Sequence, residues 1–102
     1  MSSTYEVRFW GQLWLWNGKG AWHFVTLPEE LAHEIRFHSG EQKAFGSIAV
    51  KVKCGKSEWK TSLFRDKKSG SYLLPVKASV RESEGLHAGD MTQVEILLLR
   101  SL

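Results

Sequence analysis

The side chains in this sequence best suited to bond-making chemistry are four histidines, one cysteine and two aspartates, and their spacing argues against that use. His33 and His38 lie five residues apart, so they do not stack on one helical face as a metal pair four apart would. His23 falls on an expected strand and His87 in an expected turn. Zinc sites show a cluster of ligands, and no such cluster is spelled out here. Cys54 is the single cysteine and has no intrachain disulfide partner. Lys53 and Lys56 give it only a weakly electropositive setting, so it reads as a small apolar residue at a strand end. Ser62 lacks a GxSxG context. Asp66 and Asp90 stand in turns, where carboxylates bond nearby backbone. Gly18, Gly20 and Gly70 make turns and not a phosphate loop. These residues imply no catalytic residue, no metal and no cofactor, and an enzyme is the weakest hypothesis.

Two patterns suit recognition instead. The first is Trp10, Trp14 and Trp16, which share one parity of the opening segment. The second is a basic block. Between Lys51 and Arg81 stand nine basic residues and two acidic ones, while the rest of the chain is net acidic. Lys51, Lys53 and Lys60, on paired strands, would line a phosphate-tracking groove with Trp59 or Tyr72 to stack bases. Against this stands the plainer reading of a solvated strand face, with Trp59 in the core.

The elements that position these residues follow from periodicity. Tyr5 to Trp16 alternates: Tyr5, Val7, Phe9, Leu13 and Leu15 on one face, Glu6, Arg8, Trp10, Gln12, Trp14 and Trp16 on the other. That predicts a long strand, with Gly11 as a bulge or bend. Asn17-Gly18-Lys19-Gly20 predicts a tight turn into a second strand over 21–26, with Trp22 and Phe24 facing opposite to His23 and Val25. Thr26 to Glu29 fits a capping box with Pro28 in the first turn, so a short amphipathic helix runs from Pro28 to about Phe37. Residues 41–46 read as a loop. A strand follows over Ser47 to Cys54, with Ile48, Val50 and Val52 on one face, and another over Glu58 to Phe64. A polar turn over 66–70 leads to a short strand stopped by Pro75. Ser79 to Glu82 offers a second capping box for one helical turn ending at Gly85. Gly89-Asp90 is a tight turn, and Gln93 to Leu99 a strand apolar enough for burial on both faces. Six strands with recurring hairpin turns predict a mainly β protein, a small closed β-barrel with one or two short helices.

The order of motifs resembles a known pattern. It includes Trp22-His23-Phe24-Val25-Thr26-Leu27-Pro28, then Thr61-Ser62-Leu63-Phe64, Tyr72-Leu73-Leu74-Pro75-Val76-Lys77 and Gly85-Leu86…Gly89-Asp90. These resemble the bacterial domain of unknown function 1905 family from about Tyr5 to Leu99. The resemblance implies a small closed β-barrel and offers no site residues to carry over. Thr92 stands where that pattern has an apolar strand residue.

The 102 residues fit one domain, and 42% hydrophobic with 25% charged residues is a globular composition. No apolar run of membrane-spanning length and no secretory signal is present, so no membrane partner and a reducing cytoplasm are expected. In a narrow barrel the aliphatic face of the first strand fills the interior, so the indoles of Trp10, Trp14 and Trp16 face outward. They are then covered by the first helix, or they mark a ligand surface, a protein partner or a homodimer.

Overall fold

The computed structural model describes residues 5–39 and 46–99. Six strands and two helices follow one another as β1 (Glu6–Leu15), β2 (His23–Thr26), α1 (Glu29–Ser39), β3 (Ile48–Cys54), β4 (Ser57–Arg65), β5 (Tyr72–Pro75), α2 (Ala78–Glu84) and β6 (Met91–Leu98). The strands close a barrel in the order β1-β2-β5-β4-β3-β6, and every pairing is antiparallel. Closure leaves no open edge, which is how so short a chain protects its strand backbones. Residues 40–45, most of the expected loop, lie outside the described residues.

Period two does most of the sorting. Val7, Phe9 and Leu13 of β1 point inward, with Val50 and Val52 of β3, Trp59 and Leu63 of β4, and Val94 and Ile96 of β6. Each large apolar side chain buried this way contributes roughly 1.5–3 kcal/mol relative to exposure. β1 stays in unbroken register with β6 from Glu6↔Leu97 to Gln12↔Met91, so Gly11 makes no bulge and Trp10 keeps its outward parity.

Leu15, expected inside, is 50% exposed. β1 leaves β6 after Gln12, and beyond Leu13 it is paired only with β2. Leu15 therefore overhangs the barrel rim. The last strand begins two residues earlier than its apolar run, at Met91, and buries one face. Thr92, Val94, Ile96 and Leu98 are inside, whereas Glu95 and Leu97 are half-buried and Leu99 is exposed. A barrel strand has one interior face, so apolar character alone does not bury both. Thr92 is accommodated inside because its Oγ1 lies 3.2 Å from Cys54 Sγ.

The helices also differ from their sequence signals. α1 starts at Glu29, which leaves Thr26 in β2 and too early to cap it. α1 sinks Ala32 and Ile35 into the core at the end where β1 begins. There Tyr5 donates its hydroxyl to Glu34 Oε1 at 2.6 Å and stacks on His38 with ring centroids 4.0 Å apart. α2 starts at Ala78 with Lys77 as its N-cap and no side-chain cap, so Ser79 is already helical.

The expected Gly-Asp turn pins β1. Gly89 N–H donates to the Leu13 carbonyl at 2.7 Å, and Leu13 N–H donates to the Asp90 carbonyl at 2.9 Å. Asp90 Oδ2 accepts the His87 N–H at 2.8 Å. Gly89 has φ +99°, and open space surrounds the place its Cβ would occupy. A side chain there meets backbone strain and not a clash. Gly89→Val should therefore lower the unfolding free energy by about 1–3 kcal/mol. Urea melts check this, and a melt matching the native protein would show that the turn tolerates a β-branched residue.

Candidate functional site

The β1–β2 hairpin builds an aromatic outer face. Its turn is closed by Trp16 N–H to the Trp22 carbonyl at 2.8 Å. The two turn glycines seat the indoles. A Cβ on Gly18 would overlap the Trp16 ring, and one on Gly20 would come within 3.0 Å of Trp22 Nε1. On the strands, Trp14 stands opposite Phe24, with ring centroids 5.4 Å apart. Trp14 Nε1 donates to Thr26 Oγ1 at 2.9 Å, which fixes its half-buried ring. Trp22 and Phe24 are nearly parallel, 10° apart with centroids separated by 6.1 Å.

Strand pairing extends this face. Thr26 stands opposite Leu73, and Leu73 opposite Phe64, so outward side chains of β5 and β4 continue the row. Trp16, Trp22, Phe24, Phe64 and Leu73 line a hollow of about 310 Å³. Trp16, Trp22 and Phe64 are 45%, 52% and 45% exposed. α1 does not cover them.

The three tryptophans of the opening segment do not form one surface. Trp14 and Trp16 belong to the half paired with β2. Trp10, 62% exposed, belongs to the half paired with β6, and its hollow is lined also by Arg8, Lys53, Met91 and Glu95. The face instead recruits Trp22, Phe24, Phe64 and Leu73, which the first-strand stripe did not include. The opposite parity of Trp22 and Phe24 to Val25 was a signal for two of these. For Phe64 and Leu73 the signal is the β4–β5–β2 pairing, which is not local.

The lysines are also divided. Lys51 stands directly opposite Lys60. Lys51 Nζ, however, pairs with Glu58 Oε1 at 3.2 Å, and Lys53 stands opposite both Glu58 and Glu95. Glu95 in turn accepts Arg8 Nε at 2.8 Å. Carboxylates thus interleave with Lys51 and Lys53. Trp59 and Tyr72 are in the core at 8% and 3% exposure, so neither is available to stack a base. Lys60 opens the other way, onto a groove of about 400 Å³ between β4 and the β5–α2 corner. Trp22, Phe64, Lys77 and Arg81 also line that groove, and among the described residues no Asp or Glu does. Arg81 Nε donates to the Val76 carbonyl at 3.2 Å, which holds its guanidinium beside the groove.

A family profile described as a domain of unknown function (DUF1905) matches residues 9–96. The chain belongs to the DUF1905 family. The match begins at Phe9 in β1 and ends at Ile96 in β6, so this DUF1905 barrel contains every ring of the aromatic face within its family region. No curated protein matches the chain.

Several reactive groups of the DUF1905 domain are engaged in structure. Cys54 is buried, its thiol against Thr92. His23 Nδ1–H donates to the Ala21 carbonyl at 2.9 Å. Among the described residues no three His, Cys, Asp or Glu side chains come close enough to hold a metal ion. Burial, then the hydrogen bond and charge of Glu34, push the Tyr5 hydroxyl up to about 12. The Ser69 hydroxyl bond holds the Asp66 carboxyl below its ordinary value, as the backbone N–H groups of Ser69 and Lys68 also do. Both groups brace local structure. Among the described residues no helix is long and apolar enough to cross a membrane.

Proposed function

We propose that this DUF1905 barrel is a non-enzymatic binding module whose target docks on the aromatic face of β1, β2, β5 and β4. One observation carries the reading: Trp16, Trp22 and Phe64 stand about half exposed around a single apolar hollow. Contiguous exposed aromatic surface is costly in water and is the common mark of a contact site. The hollow also falls within the size range of small-ligand sites. Burial of Cys54 inside the barrel keeps the one cysteine away from substrates, which supports binding over thiol catalysis. A free thiol also supports a cytoplasmic, reducing setting.

Acrylamide quenching of tryptophan fluorescence tests the face directly. Trp10, Trp16 and Trp22 should carry the quenchable emission and Trp59 the protected part. An apolar dye should bind the native protein, and Trp22→Ala and Phe64→Ala should each abolish that binding while far-UV circular dichroism is unchanged. If the indoles all resist quenching, the face is ordinary core and the reading fails. Sedimentation across a concentration series shows whether a homodimer covers the face.

A further inference from the structure

We propose that the occupant of this face is single-stranded nucleic acid, with bases stacked on Trp22 and Phe64 and phosphates held by Lys60, Lys77 and Arg81. The inference rests on the aromatic-face reading and adds the chemistry of its target. The apolar hollow and the cationic groove share Trp22 and Phe64, so stacking surface and positive charge are one continuous site. Among the described residues the groove's lining has three cationic side chains and no carboxylate, whereas the hollow beside Lys51 and Lys53 is lined also by Glu6, Glu58 and Glu95. Among the described residues neither Lys60 nor Lys77 has an ion-pair partner. Net positive charge without a carboxylate partner is complementary to phosphate.

The rings decide between anionic targets. Trp22 and Phe24 lie nearly parallel, and Trp16, Trp22 and Phe64 are each open to solvent on the same outer face. Such a platform takes the flat face of any base and tracks a strand past it. A mononucleotide would use one ring and leave the rest wet. An acidic peptide would satisfy the cations, but a protein anchor side chain fills a closed socket, and this site is an open hollow bordered by exposed rings. Duplex bases are already stacked on one another and give these rings nothing to hold.

The test uses fluorescein-labelled oligo(dT) and oligo(U) titrated with the native protein and read by anisotropy and by quenching of tryptophan emission. Saturable binding at low salt is expected, with a hairpin duplex, thymidine monophosphate and poly-glutamate each at least about tenfold weaker, as loss of more than one stacked base implies. Trp22→Ala and Phe64→Ala should each weaken binding about fivefold or more. The triple variant Lys60→Gln, Lys77→Gln, Arg81→Gln should flatten the log–log salt slope by about two, at roughly 0.7 per phosphate contact. Lys51→Gln with Lys53→Gln should change the slope by less than about half as much. Circular dichroism and melting temperature confirm that each variant is folded. Absence of oligonucleotide binding at low salt, equal binding of duplex or mononucleotide, tighter binding of poly-glutamate, or a slope change carried by Lys51 and Lys53 would each overturn the proposal. If the indoles are quenchable and the apolar dye binds but no oligonucleotide does, only the nucleic-acid step is lost and the aromatic-face reading stands. Protected indoles would remove both.

Discussion

Ile96→Ala should lower the unfolding free energy by about 2–5 kcal/mol, the range for removing a large aliphatic side chain from a packed core. Ile96 has no exposed surface. It stands opposite Val7 of β1 on one side and Val52 of β3 on the other, so it is enclosed between two paired strands. The truncation loses both the burial of the removed carbons and their packing against buried neighbours. Those neighbours belong to strands held by ladders on both sides, so they cannot collapse easily into the space. Leu97→Ala, on the half-buried outer face of the same strand, should cost clearly less. Urea melts of the two variants check this, and a loss at Ile96 well under about 1 kcal/mol would place it with ordinary surface positions.

Gly11→Val should also be clearly destabilising. Gly11 is buried, and a Cβ on it would overlap Val25 Cγ1 and come within 3.2 Å of Phe9 Cε2. Its φ is not in the left-handed region, so space and not backbone conformation excludes a side chain. The position lies where β1 passes from β6 to β2: Gly11 pairs with Thr92, and Leu13 already pairs with Val25. Val25 has no exposed surface and fills the place of the missing side chain. Overpacking of this kind costs typically about 1–3 kcal/mol, and valine, with two further carbons, should exceed alanine. Gly11→Ala combined with Val25→Ala should lose less than the sum of the two single changes, because each relieves the other. Strict additivity in chemical melts would show that the two residues do not compete for one space.

The barrel was legible because its signals are local. Alternation in β1 and β3, the Asn-Gly turn before β2 and the polar turn at Asp66 each specify an element from adjacent residues, and six such strands in one small domain imply closure. Failures occurred where an element's limits depend on its partners. Leu15 has the parity of Leu13, but β6 no longer runs beside it. Thr26 has the spacing of a cap, but its hydroxyl accepts the Trp14 indole. Thr92 looks too polar for the interior, yet Cys54, 38 residues away, supplies a contact.

The site divides in the same way. Strand periodicity alone put Trp10, Trp14 and Trp16 on the outer side of the opening segment, because side chains alternate whatever the strand's neighbours are. It left Trp10 grouped with the other two, since parity carries no information about which strand lies alongside. Only the tertiary order β1-β2-β5-β4 brings Phe64, fifty residues from Trp14, into the same face and aims Lys60, Lys77 and Arg81 at its border. The same order sets Glu58 and Glu95 beside Lys51 and Lys53. Charge and ring identity are written residue by residue, but which rings meet which charges is decided by strand pairing, a non-local choice made by burial of the opposite faces.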